Sequence, residues 1–162
     1  MKYALLAAAL GLAACASTPA PAQAQSRCLP AAGYSRADLD ALKAAEWQLA
    51  DVTRRAALAR ALTACLGDPD PSLRDGIAFE AYAHWLRGRQ LSNTTMLWLA
   101  DDLQARLTAP EGDGFERPFA ALVLSEVARA DRIEAYMTPA QRAHLLDASR
   151  VFHWRTGLSR IR

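Results

Sequence analysis

The chain has 162 residues, 52% of them hydrophobic and 22% charged, with 19 basic against 17 acidic residues for a formal charge of +2. So apolar a composition excludes an unfolded chain, and so even a balance excludes recruitment of nucleic acid by net charge. Eight glycines and eight prolines suffice for turns but exclude collagen-like or low-complexity architecture.

The first element is a leader. Lys2 precedes an apolar run over residues 4–14, which closes on Leu12-Ala13-Ala14-Cys15, the pattern of a bacterial lipoprotein signal. The run falls short of the roughly 20 residues that a hydrocarbon core of about 30 Å requires, so it reads as a cleaved address. This predicts a signal peptide over residues 1–14, a lipidated Cys15 bearing acyl chains such as palmitate, and a membrane partner through that anchor. A rival site lies further on: Ala22-Gln23-Ala24 before Gln25 is an A-x-A pattern, and cleavage there leaves a soluble periplasmic or secreted protein. Cys15 is favoured because it abuts the apolar run. Ala16 follows it, and similarity to enterobacterial sorting, where Asp at that place retains a lipoprotein in the inner membrane, points to the periplasmic face of the outer membrane. Residues 15–27, poor in charge and rich in Ala, Ser, Thr, Pro and Gln, read as a flexible tether.

A helical domain is expected over residues 28–150. Alternating β-branched runs are missing from it, while Ala, Leu, Arg and Glu recur at helical spacing. Cys28 precedes the first helix and Cys65 ends the second, places that meet in an antiparallel pair, so a disulfide is expected; two separate buried thiols are the alternative. Ser35 caps a helix running to about Leu49. Asp51 caps a second with the stripe Leu58, Ala61, Leu62, Cys65 and Leu66, stopped by Gly67. Asp70-Pro71 opens a third, which Gly88 ends, and Ser92 caps a fourth with the stripe Met96, Leu99, Ala100, Leu103 and Leu107. A fifth covers about residues 117–130, and Thr138-Pro139 opens a sixth. Arg150, Arg155, Arg160 and Arg162 occur without an acid, which reads as a basic tail over residues 151–162 able to touch an anionic surface.

Six helices with short connections predict three antiparallel hairpins in a HEAT-like α-α superhelix. Projection of the third helix at 100° per residue gathers Ile77, Ala78, Ala81, Tyr82, Trp85 and Leu86 in one arc, with Arg74 and Asp75 inside its start. Asp70, Arg74 and Asp75 therefore read as a polar ladder between helices, Arg74 as an anion site being the other reading. Glu80 and His84, four apart, can touch on the opposite face, without a third ligand for zinc. In the fifth helix Phe119, Leu122, Val123 and Val127 define the buried side, and Glu126 shares their arc. A buried carboxylate needs an arginine or another donor, or else a raised pKa, which makes Glu126 the candidate functional acid. Trp98 faces away from its own stripe, so it is buried by a neighbouring layer or marks a protein-binding patch. The chain shows no Gly-x-Ser-x-Gly, His-Glu-x-x-His or Gly-rich phosphate motif, so no catalytic residue, metal or cofactor is predicted.

Two segments carry a family resemblance: Asp70-Pro71-Ser72-Leu73-Arg74-Asp75 running to Trp85, Gly88 and Leu91-Ser92, and Phe115-Glu116-Arg117-Pro118-Phe119-Ala120-Ala121-Leu122-Val123-Leu124. The chain from Cys28 to Asp147 resembles the bacterial family called domain of unknown function 2785, with its Asp-Pro-x-Leu-Arg-Asp and Phe-x-Arg-Ser-Phe-Ser-x-Leu patterns. Pro118 and Ala120 replace the two serines here. The resemblance implies a HEAT-like helical protein and no particular activity. Members continue into an Arg-Gly segment and a Gly-Trp-x-His-x-x-x-His stretch; this chain reads Val151-Phe152-His153-Trp154 instead, the expectation being a truncated or frameshifted end. The functional expectation is a non-enzymatic envelope module that binds another envelope protein. The alternative is an enzyme, or a remnant of one, using Glu126, Arg74 and the lost histidine stretch.

Overall fold

Helix starts in this chain are written in capping side chains. Ser35 and Asp38 form a reciprocal capping box, the Asp51 carboxylate accepts from the backbone N–H of Thr53 and Arg54, and Asp70 accepts from Ser72. Ser92 accepts from Thr95, and Thr138 forms a second box with Gln141. The computed structural model describes residues 26, 28–110 and 114–156, with backbone alone for residues 151–156. These five starts, and a sixth at Phe115 that has no side-chain cap, open six helical rods among the described residues. They are α1 (Arg36–Ala44), α2 (Val52–Ala61) with a 3₁₀ extension (Leu62–Gly67), and a third rod of α3 (Pro71–Leu73), a π segment (Arg74–Phe79) and α4 (Glu80–Arg87). Then come α5 (Asn93–Thr108), α6 (Glu116–Ile133) and α7 (Pro139–Thr156). Among the described residues there is no strand, only an isolated bridge between Ala31 and Tyr34, so the protein is all-α.

Four local expectations need correction. The first helix stops at Ala44, five residues short of Leu49, because the next turn is left-handed: Glu46 has φ 51° and Trp47 φ 58°. The N–H of Trp47 donates to Leu42 and that of Glu46 to Lys43, a Schellman closure that turns Trp47 into the core. There its carbonyl accepts from Trp85 Nε1 at 3.0 Å, and the two rings meet edge to face. Second, Asp75 is half exposed although Arg74 beside it is buried. A uniform 100° projection assumes α geometry, and the wider π turns break that assumption where these residues sit. Third, Leu122 is 46% exposed; Ala120, Val123, Leu124 and Val127 carry the buried side of α6 instead. Fourth, the boundary set at residue 150 falls inside α7, which continues to Thr156. The leader, Cys15, Ala16 and residues 157–162 lie outside the described residues.

The core runs through all the rods. Tyr82, Trp85, Leu58, Leu62, Leu66, Leu99, Leu103 and Leu107 are fully buried, each worth roughly 1.5–3 kcal/mol of transfer free energy for a large apolar side chain. The Tyr82 hydroxyl donates to the Ala59 carbonyl at 2.5 Å, and burial pushes its pKa up. Neighbouring rods are also pinned by charge. Lys43 of α1 meets Glu80 and the Gly76 carbonyl, Arg36 faces Asp70, and Arg106 of α5 holds Asp102, Glu116 of α6 and the Thr63 hydroxyl. The first rod thus lies beside the third. The third packs on α6 through α4, α2 touches α5, and α5 packs on both α6 and α7. The link between α6 and α7 is sparser, and that separation shapes the surface described next.

Candidate functional site: an arginine-rimmed groove

α6 presents small side chains toward α7. Ala121 and Ala128 stand where longer residues would reach across, and α7 answers with Leu145 and Ser149. Since α7 rests chiefly on α5, the space between the two helices stays open as an apolar groove of about 510 Å³ floored by Leu107 and Leu124. A second stretch of about 410 Å³ continues it past Ala128 and Leu145 to Ala135, Met137 and Leu146. Leu146 is 54% exposed there.

The rim is cationic. Arg129 and Arg132 of α6 line the groove, both exposed, and neither forms an ion pair with a described residue. Arg142 on the far side is occupied. It donates to Asp131, whose other contacts are the backbone N–H groups of Tyr136 and Met137 at 2.8 Å each. Arg142 first, and then those two amides, draw the Asp131 pKa down to about 2. This buried carboxylate ties the α6–α7 turn and sets the angle at which α7 leaves it.

The residues singled out from the sequence lie elsewhere. Cys28 and Cys65 are bonded to each other and buried, and Ser26 Oγ donates to Asp68 beside them. Asp70, Arg74 and Asp75 divide between two contacts, Arg74 pairing with Asp75 and Asp70 with Arg36 of the first rod. Asp70 turns outward, accepting from the Ser72 hydroxyl at 2.6 Å and facing Arg36 at 3.5 Å, while Arg74 turns inward. The Arg74 guanidinium donates to the Asp68 carbonyl and to Asp75, and lies over the rings of Phe115 at 4.1 Å and Phe119 at 4.8 Å. The two segments that carry the family resemblance therefore meet at this stack. Glu126 is buried and is held by Arg87, whose hydrogen bond lowers its pKa; a carboxylate so held is ionised near neutrality and is a poor proton donor. Glu80 and His84 do not touch, because Lys43 takes the first and Gln90 the second. Trp98 is half-buried under the Arg60 guanidinium at 4.9 Å, so it offers no open patch. Trp154 lies among the residues whose side chains are not described.

Sequence reasoning missed the groove, which is a gap between elements and depends on how far α7 stands from α6. The signal present was weak: alanines at 121 and 128 beside exposed Leu122 and Leu146. Among the described residues no group of three or more His, Cys, Asp or Glu stands close enough to hold a metal ion, and no helix is long and apolar enough to cross a membrane. No family model, curated protein or solved structure matches this chain.

Proposed function

We propose that this chain is a lipid-anchored helical module of the bacterial envelope that receives an acidic amphipathic helix of another envelope protein between α6 and α7. The observation that carries the reading is the apolar groove rimmed by Arg129 and Arg132, exposed guanidinium groups that form no ion pair with a described residue. A guest helix burying residues at i, i+3, i+4 and i+7 fits such a trough, and carboxylates on its flanks meet the two guanidinium groups. The membrane partner is read from Leu12-Ala13-Ala14-Cys15, with Ala16 favouring the outer membrane. A HEAT-like stack is part of the proposal and is supported by contacts of the first rod with the third, the third with α6, α2 with α5, and α5 with α7, the neighbours that two stacked layers would bring together. Arg74 joining both resemblance segments supports kinship with domain of unknown function 2785.

The test is anisotropy titration of the mature chain with two labelled designed helices of about five turns, alike except that glutamates or lysines flank one leucine stripe. The acidic helix is expected to bind about tenfold tighter, the preference shrinking with added salt. R129E/R132E should reverse the preference, and A128W, which fills the trough, should abolish binding. Equal affinity for both helices, or A128W binding as well as the parent, would sink the proposal.

A further inference from the structure

A second cavity, about 240 Å³, lies between α5 and α7 and has the opposite chemistry. Its walls are apolar, from Leu97, Ala100 and Met137, and its polar groups are Asp101, Gln104 and His144, with Gln141 at the edge. Gln104 is 5% exposed. Its Nε2 donates to the Ala100 carbonyl at 2.8 Å, which fixes the orientation of the amide and leaves Oε1 buried without any hydrogen-bond partner. An orphaned amide oxygen in a helical core is unfavourable, and a leucine of similar shape would remove the difficulty. Three residues earlier on the same face, Asp101 makes no ion pair with a described residue. Gln141 Oε1 is already engaged by the Thr138 backbone and hydroxyl. The pocket thus presents a carboxylate and an imidazole, with the unpartnered Gln104 carbonyl oxygen buried in its wall, and none of its lining residues is a lysine or arginine.

We propose that this pocket binds a small primary ammonium group carried on a short apolar stem. An ammonium has three donors, enough for Asp101, the orphaned Gln104 oxygen and a ring nitrogen of His144, and charge-assisted bonds of this kind outweigh neutral ones. The stem then lies against Leu97, Ala100 and Met137. An amino acid fits poorly, since its carboxylate would meet Asp101 with no cation to receive it. The reading rests on other residues of α7 than the α6–α7 groove does, the two sharing only Met137.

The experiment is a titration of the mature chain, followed by amide and side-chain NMR, with butylammonium, butanol and 4-aminobutanoate. Butylammonium should saturate, shifting the Gln104 side-chain and His144 resonances, with butanol and the zwitterion binding at least about tenfold more weakly. D101N, at an exposed position that leaves the fold intact, should weaken butylammonium about tenfold, while Q104E should tighten it. Q104L should retain the fold and lose the selectivity. Butanol and butylammonium shifting the same resonances with equal affinity, or D101N binding like the parent, would overturn the proposal.

Discussion

At the scale of single residues, Asp131 shows how one buried acid holds an angle between helices. Its carboxylate is bound by Arg142 Nε at 2.6 Å and by the N–H groups of Tyr136 and Met137, so its pKa lies near 2, below the ordinary carboxylate value of about 3.9. A lowered native pKa means that the unfolded chain binds the proton more readily. The stabilisation is therefore complete above about pH 4 and is lost as pH falls toward 2. Denaturant melts at neutral and acid pH check this: D131N should cost about 1–2 kcal/mol at pH 7, and the gap between it and the parent should close as the medium approaches pH 2. Nothing in the residue pattern foretold Asp131. It lies at the end of α6, while its partners, beyond the turn, are two backbone amides and an arginine eleven positions on. Glu126 was legible because it interrupts an apolar arc, although the arginine that answers it comes from the loop-side end of α4 and no periodicity names it.

Elements divide sharply into starts and stops. The starts at Ser35, Asp51, Asp70, Ser92 and Thr138 were all readable, since a cap is a local hydrogen bond between a side chain and an amide two or three residues away. Stops proved harder. Gly67 and Gly88 end the second and third rods as read, but α1 ends in a Schellman closure whose left-handed position holds Glu46, where glycine would have announced the turn, and α4 closes the same way just past Gly88, on Arg89. Tertiary contacts supply the compensation, Trp47 entering the core after the first and Arg89 reaching Glu134 and the Ala130 carbonyl after the second. Chemical denaturation separates the two cases: E46G should raise stability by about 0.5–1 kcal/mol, because Glu46 is exposed and carries strain alone. R89G should show no such gain, since it trades the same relief for lost contacts. The π segment was equally hidden; the arc from Ile77 to Leu86 could be projected because it lies mostly beyond that segment, and Asp75 could not.

For the whole molecule, helical class and one core were legible in composition and period, and the pairing of Cys28 with Cys65 followed from where the first two helices begin and end. How the rods sit against one another was not, and both the arginine-rimmed groove and the pocket around Gln104 depend on that arrangement. The disulfide closes a separation of 37 residues, so C28S/C65S should lower stability by about 2–4 kcal/mol in urea melts, while circular dichroism stays helical. Its place in the chain has a mechanical side as well. Were the N-terminus held by the proposed lipid anchor, a pull on it would arrive at Cys28 and pass straight through sulfur to Cys65, leaving α1 and α2 inside a covalent ring that carries little of the load. Under tension the molecule would yield first further along, among rods joined only by packing and charge, while the ring stayed closed.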